Sequence, residues 1–152
     1  MDLTIKFFEN IKDLSEIQDA LDIRLKVFVL EQNVKEEVDE YEMTSAHIVL
    51  YSENKPVANC RIVYLADKVK IGRVAVLSEY RGKKLGERIT KEALNYLINQ
   101  GKEKVYISAQ LYVKKFYEKL GFIQTSDVYM EENIEHVAMI CELKDRELYK
   151  LD

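Results

Sequence analysis

The stretch RVAVLSEYRGKKLGERI, residues 73–89, constrains the fold of this chain more than any other part of it. A short β-prone run at 74–76 is followed by a turn, and Gly82 and Gly86 then flank the start of an amphipathic pattern. The chain contains only 5 glycines, so two of them in one loop indicate a demanding backbone geometry there. A strand that leads through a tight loop into a helix is typical of α/β folds. The loop also carries three basic residues, Arg81, Lys83 and Lys84.

Strand-like and helix-like periods alternate along the rest of the chain. The predicted strands are 3–8, 46–51, 57–65, 69–76, 105–109, 123–130 and 134–143. Apolar residues at helical spacing predict a first helix capped by Asn10, a second from Leu85 to Gly101 and a third that ends at Gly121. We therefore expect one domain over residues 1–152, of the α/β class in its α+β form. Its sheet should be antiparallel early in the chain, with a parallel crossover in the middle.

The composition argues against several classes of protein. Apolar residues make up 47% and charged residues 33%, as in soluble globular proteins. No apolar run approaches the roughly 20 residues of a membrane-spanning helix, and the first residues lack the pattern of a signal peptide. The net charge of -4 argues against a nucleic-acid partner. Cys60 and Cys141 lie in strand-like runs, which predicts buried, reduced thiols. We expect a cytoplasmic protein that binds neither membrane nor nucleic acid, with no metal-ligand spacing.

The loop at 81–86 has the features of an anion site. A helix N-terminus leaves about four backbone N–H groups unpaired and carries roughly half a positive charge. Glycines let the backbone approach a bulky anion, and the neighbouring basic side chains attract it. A phosphate or pyrophosphate is the natural ligand, and the alternative is a charged, solvated helix start. The loop matches neither the GxxxxGK[ST] nor the GxGxxG nucleotide pattern.

A second motif, FYEKLGF at 116–122, lies on a helix after the next buried strand. Together, the order strand, RGKKLG, helix, strand, FYEKLGF and strand resembles the GNAT superfamily of acyl-CoA-dependent N-acetyltransferases. The segments 24–32, 37–47, 108–110 and 131–139 resemble a small, incompletely characterised bacterial branch of that superfamily. The resemblance extends from Arg24 to Met139. It implies a mixed, mostly antiparallel central sheet flanked by about four helices.

The resemblance implies a binding site for acetyl-CoA between strands 69–76 and 105–109, which should splay apart. The family loop has the form Q/R-x-x-G-x-G/A and binds the pyrophosphate of coenzyme A through backbone amides. Arg81 and Gly86 match this form, whereas Lys84 stands where the family usually has its first glycine. The implied coenzyme-binding residues are Val74, Ala75, Val76, Arg81, Gly82, Lys83, Lys84, Leu85, Gly86, Glu87, Gln110 and Phe116.

The implied chemistry is direct attack of an amine on the acetyl thioester in a ternary complex. The position of Tyr117 in FYEKLGF implies a general acid for the departing thiolate, since a phenol with a reference pKa of about 10 suits that leaving group. The implied substrate-site residues are Glu31, Gln32, Asp39, His47, Arg61, Arg73 and His136. The general base stays open among Glu31, Glu37, Asp39, His47 and His136.

The acceptor is a small-molecule or peptide amine, and the acidic run at 37–40 favours a cationic one. Pairing of strand edges would allow a homodimer. Three alternatives stay open: an acyltransferase that uses another donor, a non-catalytic coenzyme-binding sensor or assembly module with the same fold, and anion binding without coenzyme A.

Overall fold

The computed structural model describes residues 2–35 and 38–151, and it contains a mixed sheet of eight strands. The strands are β1 (Leu3–Phe8), β2 (Ala46–Ser52), β3 (Lys55–Tyr64), β4 (Val69–Val76), β5 (Lys104–Gln110), β6 (Phe122–Gln124), β7 (Tyr129–Glu131) and β8 (Ile134–Glu142). Their order is β1-β2-β3-β4-β5-β8-β6, and β7 pairs with β8. Only β4 and β5 are parallel among these pairs. This architecture confirms the predicted mixed, mostly antiparallel sheet.

The described residues contain three α-helices rather than about four: α1 (Gln18–Arg24), α2 (Leu85–Asn99) and α3 (Lys114–Lys119). The long first helix expected from periodicity is instead a 3-10 turn, then α1, then a π-helix at Leu25–Glu31. No helix in the described ranges is long and apolar enough to cross a membrane.

The cap of the first helical segment is Asp13, not Asn10 as expected. The backbone N–H of Ser15 donates to the Asp13 carboxylate at 2.9 Å, and the N–H of Asp13 donates to Glu16 at 3.0 Å. The backbone N–H of Glu16 also bonds to the Asp13 side chain, which together with the Glu16 bond to Asp13 completes a capping box. Asn10 instead adopts a positive φ of 52°, which is a turn conformation and not that of a cap.

The expected strand 123–130 is divided into β6 and β7. Between them, the N–H of Thr125 donates to the carbonyl of Ala138 at 2.8 Å, and the N–H of Ala138 donates to the Ser126 hydroxyl at 2.9 Å. The serine hydroxyl thus replaces a backbone acceptor at this point, so the regular ladder is interrupted.

The core lies on both faces of the sheet. On one face, Ile17, Ala20 and Ile23 from the first helical segment pack with Val49 and Ala75. On the other face, α2 and α3 cover β2 to β5 and β8 through a larger buried cluster, with Ile89, Leu94, Leu97, Tyr117 and Leu120 among its members. The two clusters fix β4 between helices on opposite sides.

The C-terminal tail is tied to α2 and to the end of α3. The N–H of Tyr149 donates to the Asn95 side-chain oxygen at 2.7 Å, and the Asn95 amide donates back to the Tyr149 carbonyl at 3.0 Å. The Tyr149 hydroxyl donates to the carbonyl of Leu120 at 2.5 Å. Tyr149 thus holds the tail against α2 and against the residue that follows α3.

Candidate functional site

Strands β4 and β5 separate soon after they meet. Their register contains a single pair, Lys70 with Tyr106. Beyond it, β4 carries a bulge against β3, where Asn59 pairs with Ala75 but Arg61 pairs with Gly72. Arg73 lies in this bulge with a φ of 54°, and its carbonyl accepts a hydrogen bond from the Asn59 amide at 3.0 Å. A bulge bends its strand and disrupts the ladder, so the edge of β4 is left open toward β5.

A cavity of about 890 Å³ occupies the opening. Its wall is formed by β4, the start of α2, α3, the π-helix and the beginning of β8. The sequence-predicted residues that line it are Glu31, Gln32, Asp39, Arg61, Arg73, Val74, Val76, Arg81, Gly82, Lys84, Leu85, Gly86, Glu87, Gln110, Phe116, Tyr117 and His136. Three others do not line it: Ala75, His47 and Lys83.

The basic loop opens onto one end of this cavity. Gly82 has a φ of 78° and Lys84 a φ of 61°, and α2 begins directly after Lys84. A Cβ on Gly86 would lie 3.6 Å from Val76 and 3.7 Å from Phe116, so the first turn of α2 lies close against β4 and α3. Among residues 2–35 and 38–151, no side chain caps α2. Its first backbone N–H groups therefore face the mouth of the cavity without a side-chain acceptor.

The side chain of Arg81 is engaged within the protein. Its guanidinium donates to the carbonyl of Val76 at 2.8 and 3.0 Å and to the Glu31 carboxylate at 2.7 Å. These bonds lower the pKa of Glu31, because they favour its charged form. Arg81 thus connects the loop to the π-helix. Among the residues that the structure describes, none of the ion pairs involves Lys83 or Lys84. Lys83 lies over the Tyr80 ring, 5.3 Å from its centroid.

Tyr117 contributes a phenol to the opposite wall of the cavity. Its ring is 6% exposed and packs edge-on against Phe116 and Phe122, with centroids 4.9 and 5.6 Å away. Burial raises the pKa of the hydroxyl well above its usual value, so it stays protonated at neutral pH. Within residues 2–35 and 38–151, none of the hydrogen bonds involves this hydroxyl. Tyr117 therefore holds a proton that it can donate to a ligand.

A network of buried ion pairs supports the other side of the cavity. Arg24 donates to both oxygens of Glu42 at 2.8 and 3.1 Å, and Arg61 donates to Glu42 at 2.9 Å. Arg61 also donates to Asp39 at 2.6 and 2.8 Å, and Arg73 donates to Asp39 at 3.4 Å. The structure thus gives charged residues inside strands the partners that burial demands.

The charge of Asp39 is compensated in this network. Burial opposes its ionisation, but hydrogen bonds and charge attraction from Arg61 outweigh burial and lower the pKa of Asp39 to about 2. A carboxylate held by two arginines is a poor proton acceptor at neutral pH. Glu37, another candidate base in the acidic run, lies outside the described residues.

The two histidines have different surroundings. His47 is 0% exposed, and its Nε2 lies 2.8 Å from the carbonyl of Glu42. Burial lowers the pKa of His47, which keeps it neutral within the network. His136 instead lies on the cavity wall at the start of β8.

Three polar residues around His136 were not among the sequence-predicted site residues. Glu131 lies 3.6 Å from the Nε2 of His136, and Tyr129 stacks on its ring at 6.1 Å. Ser108 makes a short hydrogen bond with the Tyr129 hydroxyl. Ser108 comes from β5, and Tyr129 and Glu131 come from β7, so no spacing within one segment could bring all three together. The resemblance did include 108–110 and 131–139, and these segments were the available signal.

Two further predicted residues, Gln110 and Glu87, have side-chain partners within the protein. The Gln110 amide donates to Gln32 at 3.1 Å, which connects the end of β5 with the residue after the π-helix. Glu87 forms an ion pair with Lys91 at 3.2 Å along α2. The π-helix, a form often found at functional sites, thus contacts both edges of the cavity through Glu31 and Gln32.

Comparison with known proteins gives a consistent result. The Acetyltransferase (GNAT) domain family matches residues 14–143. Protein ElaA from Escherichia coli (strain K12) is 33% identical over 137 residues, which cover 86% of this chain and 90% of ElaA.

Solved structures agree with the sequence matches. An acyl-CoA N-acyltransferase from Pseudomonas aeruginosa superposes with a TM-score of 0.84 at 28% identity, covering 92% of this chain and 99% of that one. A GNAT family acetyltransferase from Elizabethkingia anophelis, solved with acetyl-CoA bound, has a TM-score of 0.70 at 18% identity, over 93% and 98% of the two chains. The latter likeness is one of fold alone.

Proposed function

Because this chain belongs to the GNAT acetyltransferase family, we propose that it transfers an acetyl group from acetyl-CoA to a primary amine of a small molecule or peptide. One observation carries the proposal: the open edge of β4, the uncapped start of α2 and the Tyr117 hydroxyl line one cavity. Such a cavity suits a long ligand with a phosphate group at one end and a reacting thioester at the other.

The coenzyme has a matching set of residues. The backbone N–H groups at 82–87 would bind the pyrophosphate, with attraction from Lys83 and Lys84. The free edge of β4 at Val74 and Val76 would pair with the pantetheine amides, since β5 leaves it without a partner strand. Phe116 and Gly86 lie close enough together to confine the arm between α2 and α3.

The transfer needs a neutral amine and a stabilised thiolate. In the ternary complex the amine nitrogen attacks the thioester carbonyl, the carbon–nitrogen bond forms, and the carbon–sulfur bond breaks. The Tyr117 hydroxyl would donate a hydrogen bond or a proton to the departing sulfur, and its burial excludes water that would compete for this role. Holding both reactants in one cavity supplies the proximity on which a direct transfer depends.

Calorimetric titration tests the coenzyme site. We expect micromolar binding of acetyl-CoA and loss of binding for S-acetylpantetheine, which lacks the pyrophosphate and adenosine. Release of free thiol from acetyl-CoA in the presence of a panel of primary amines then tests transfer. Binding without thiol release for any amine would support a non-catalytic coenzyme-binding module instead, and binding of neither ligand would contradict the proposed site.

Replacing Tyr117 by Phe separates chemistry from binding. We expect kcat to fall about 10²-fold because the proton donor is lost, with an unchanged affinity for acetyl-CoA because the ring is kept. Tyr106→Phe, the same change outside the cavity, is the control and should leave both values unchanged. Equal kcat values for the two variants would contradict the role of Tyr117.

A further inference from the structure

We propose that His136 is the base that deprotonates the acceptor amine and that Glu131 binds the amine in its ammonium form. The proposal rests on the proposed function and adds to it the group that makes the nucleophile reactive. An alkylamine is mostly protonated at neutral pH, since a lysine-type amine has a pKa of about 10.4. It cannot attack a thioester until it loses a proton, so the site needs an acceptor for that proton.

The hydrogen bond of His136 determines which of its nitrogens can act. Its Nδ1 lies 2.7 Å from the carbonyl oxygen of Ile134, which can only accept. Nδ1 therefore carries the hydrogen in the neutral ring, and Nε2 presents its lone pair. The Nε2 atom lies 3.6 Å from the Glu131 carboxylate. Both groups accept hydrogen bonds, so a cation with several N–H donors can bond to both of them. A primary ammonium has the charge and the three N–H donors for this position.

The surroundings of His136 keep the ring in this orientation. Its side chain is 8% exposed, whereas that of Glu131 is 54% exposed. The Tyr129 ring stacks on the imidazole at an interplanar angle of 23°, and its hydroxyl is bonded to Ser108. Glu131 can therefore meet an incoming ammonium at the surface, and His136 can receive the proton further inside.

Three acidic residues lie near His136 in the chain. Glu131 on β7 contacts the ring, Glu132 lines the same cavity, and Glu135 neighbours His136 on β8. Within the described residues, none of the ion pairs brings a cation to Glu131. The cavity wall also carries basic residues, of which Arg81 and Lys84 belong to the loop at 81–86, and Arg61 and Arg73 are bonded to Asp39. An ammonium would be attracted to the acidic residues, and a pyrophosphate to the loop.

The other described candidates are less suited to accept a proton. Glu31 is bonded to Arg81, and Asp39 is bonded to Arg61 and Arg73. His47 is fully buried and does not reach the cavity. Ser108 is bonded to Tyr129 and lies 3.4 Å from Glu131, not against His136, so the cluster is not arranged to activate a serine nucleophile.

The protons balance along this route. The ammonium gives one proton to Nε2 of His136, and the neutral nitrogen attacks the thioester carbonyl carbon. As the carbon–sulfur bond breaks, a second proton from the same nitrogen ends on the coenzyme sulfur, with Tyr117 able to relay it. The products are the N-acetylated amine and free coenzyme A, and the imidazolium returns its proton to water. No oxidant, reductant or acyl-enzyme is required.

Two acceptors of different basicity test the proposal. Benzylamine is protonated at neutral pH and needs the base, whereas hydroxylamine is already unprotonated and does not. Thiol release from acetyl-CoA is measured with both acceptors for wild type, His136→Gln, Glu131→Gln and Glu37→Gln. Glu142→Gln, an exposed carboxylate at the far end of β8, is the matched control. Circular dichroism and acetyl-CoA titration verify that each variant is folded and binds its coenzyme.

We expect His136→Gln to lower kcat/KM for benzylamine about 10²-fold and to change that for hydroxylamine by less than about threefold. Glu131→Gln should raise KM for benzylamine several-fold with little change in kcat.

Equal losses for the two acceptors, no loss in His136→Gln, or a selective benzylamine loss in Glu37→Gln would overturn the assignment while leaving acetyl transfer intact. Should His136→Gln not fold, an unchanged KM in Glu131→Gln would overturn it as well. A wild-type protein that binds acetyl-CoA but releases no thiol with these or any other panel amine would overturn the proposed function, and this inference with it.

Discussion

Lys84 adopts a backbone conformation that glycine usually provides. Its φ of 61° lies in the left-handed region, where a side chain costs about 1 kcal/mol. Lysine at this position adopts the same left-handed backbone conformation that a glycine would. Having lysine instead of the family's glycine therefore adds backbone strain and a positive charge, but it does not change the path of the chain. Its exposed side chain offsets the cost by placing a cation beside the uncapped start of α2.

Lys84→Gly separates these two effects. We expect the free energy of unfolding to rise by up to about 1 kcal/mol as strain is relieved, and the affinity for acetyl-CoA to weaken several-fold as a charge is lost. Lys84→Ala keeps the strain and loses only the charge, so it should weaken binding without the gain in stability. Urea unfolding and calorimetry measure the two quantities. An unchanged stability of Lys84→Gly would show that the conformation carries no strain.

The ion pairs of Asp39 make the free energy of unfolding depend on pH, and the lowered pKa of Asp39 fixes the direction of that dependence. Its folded pKa of about 2 lies below its usual value near 3.9. The stabilisation from its ion pairs is therefore complete above pH ~4 and is lost as the pH falls toward 2. Asp39→Asn should cost roughly 2 kcal/mol at pH 7, because Arg61 loses a charged partner. The difference between variant and wild type in urea unfolding should disappear near pH 2, and a difference that persists there would contradict this account.

At the scale of elements, the contact between the C-terminal tail and α2 depends on the side chain of Asn95. Asn95→Ala removes both bonds to Tyr149 and leaves two partly buried backbone groups unpaired, so we expect a loss of about 1–3 kcal/mol in urea unfolding. Asn99→Ala, an exposed position on the same helix, should change stability by less than about 0.5 kcal/mol. Similar values for the two variants would mean that the tail contributes little to the fold.

Sequence periodicity predicted the elements whose apolar faces are regular. Helix α2 and strands β1 to β5 and β8 fall within a few residues of their expected bounds, because their alternating or helical patterns reflect burial directly. The first helix was predicted as one piece because a π-helix keeps similar apolar spacing while its hydrogen bonds shift from i→i+4 to i→i+5. Strand β6 ends early because a serine hydroxyl, not a spacing, interrupts the ladder.

At the scale of the whole molecule, the site divides into parts that sequence could and could not predict. The loop at 81–86 and Tyr117 are local motifs that the sequence displays directly, and most of these residues line one cavity, although their roles stay predictions. The engagement of Arg81 by Glu31, and of Asp39 by two arginines, depends on residues 22 to 50 positions apart in the chain. Long-range pairing of charges decides which side chains can meet a ligand, and no pattern within a single segment reports it.

The single register pair between β4 and β5 has a consequence for the abundance of the folded protein in a cell. The sheet is nearly divided in two at its centre, and on the proposed function the coenzyme supplies the missing strand contacts there. A ligand that binds only the folded state adds about 2.7 kcal/mol to its stability at a concentration 100 times its dissociation constant. The lifetime of the protein against proteolysis would then follow the acetyl-CoA supply, so the metabolic state of the cell would help to set how much enzyme survives.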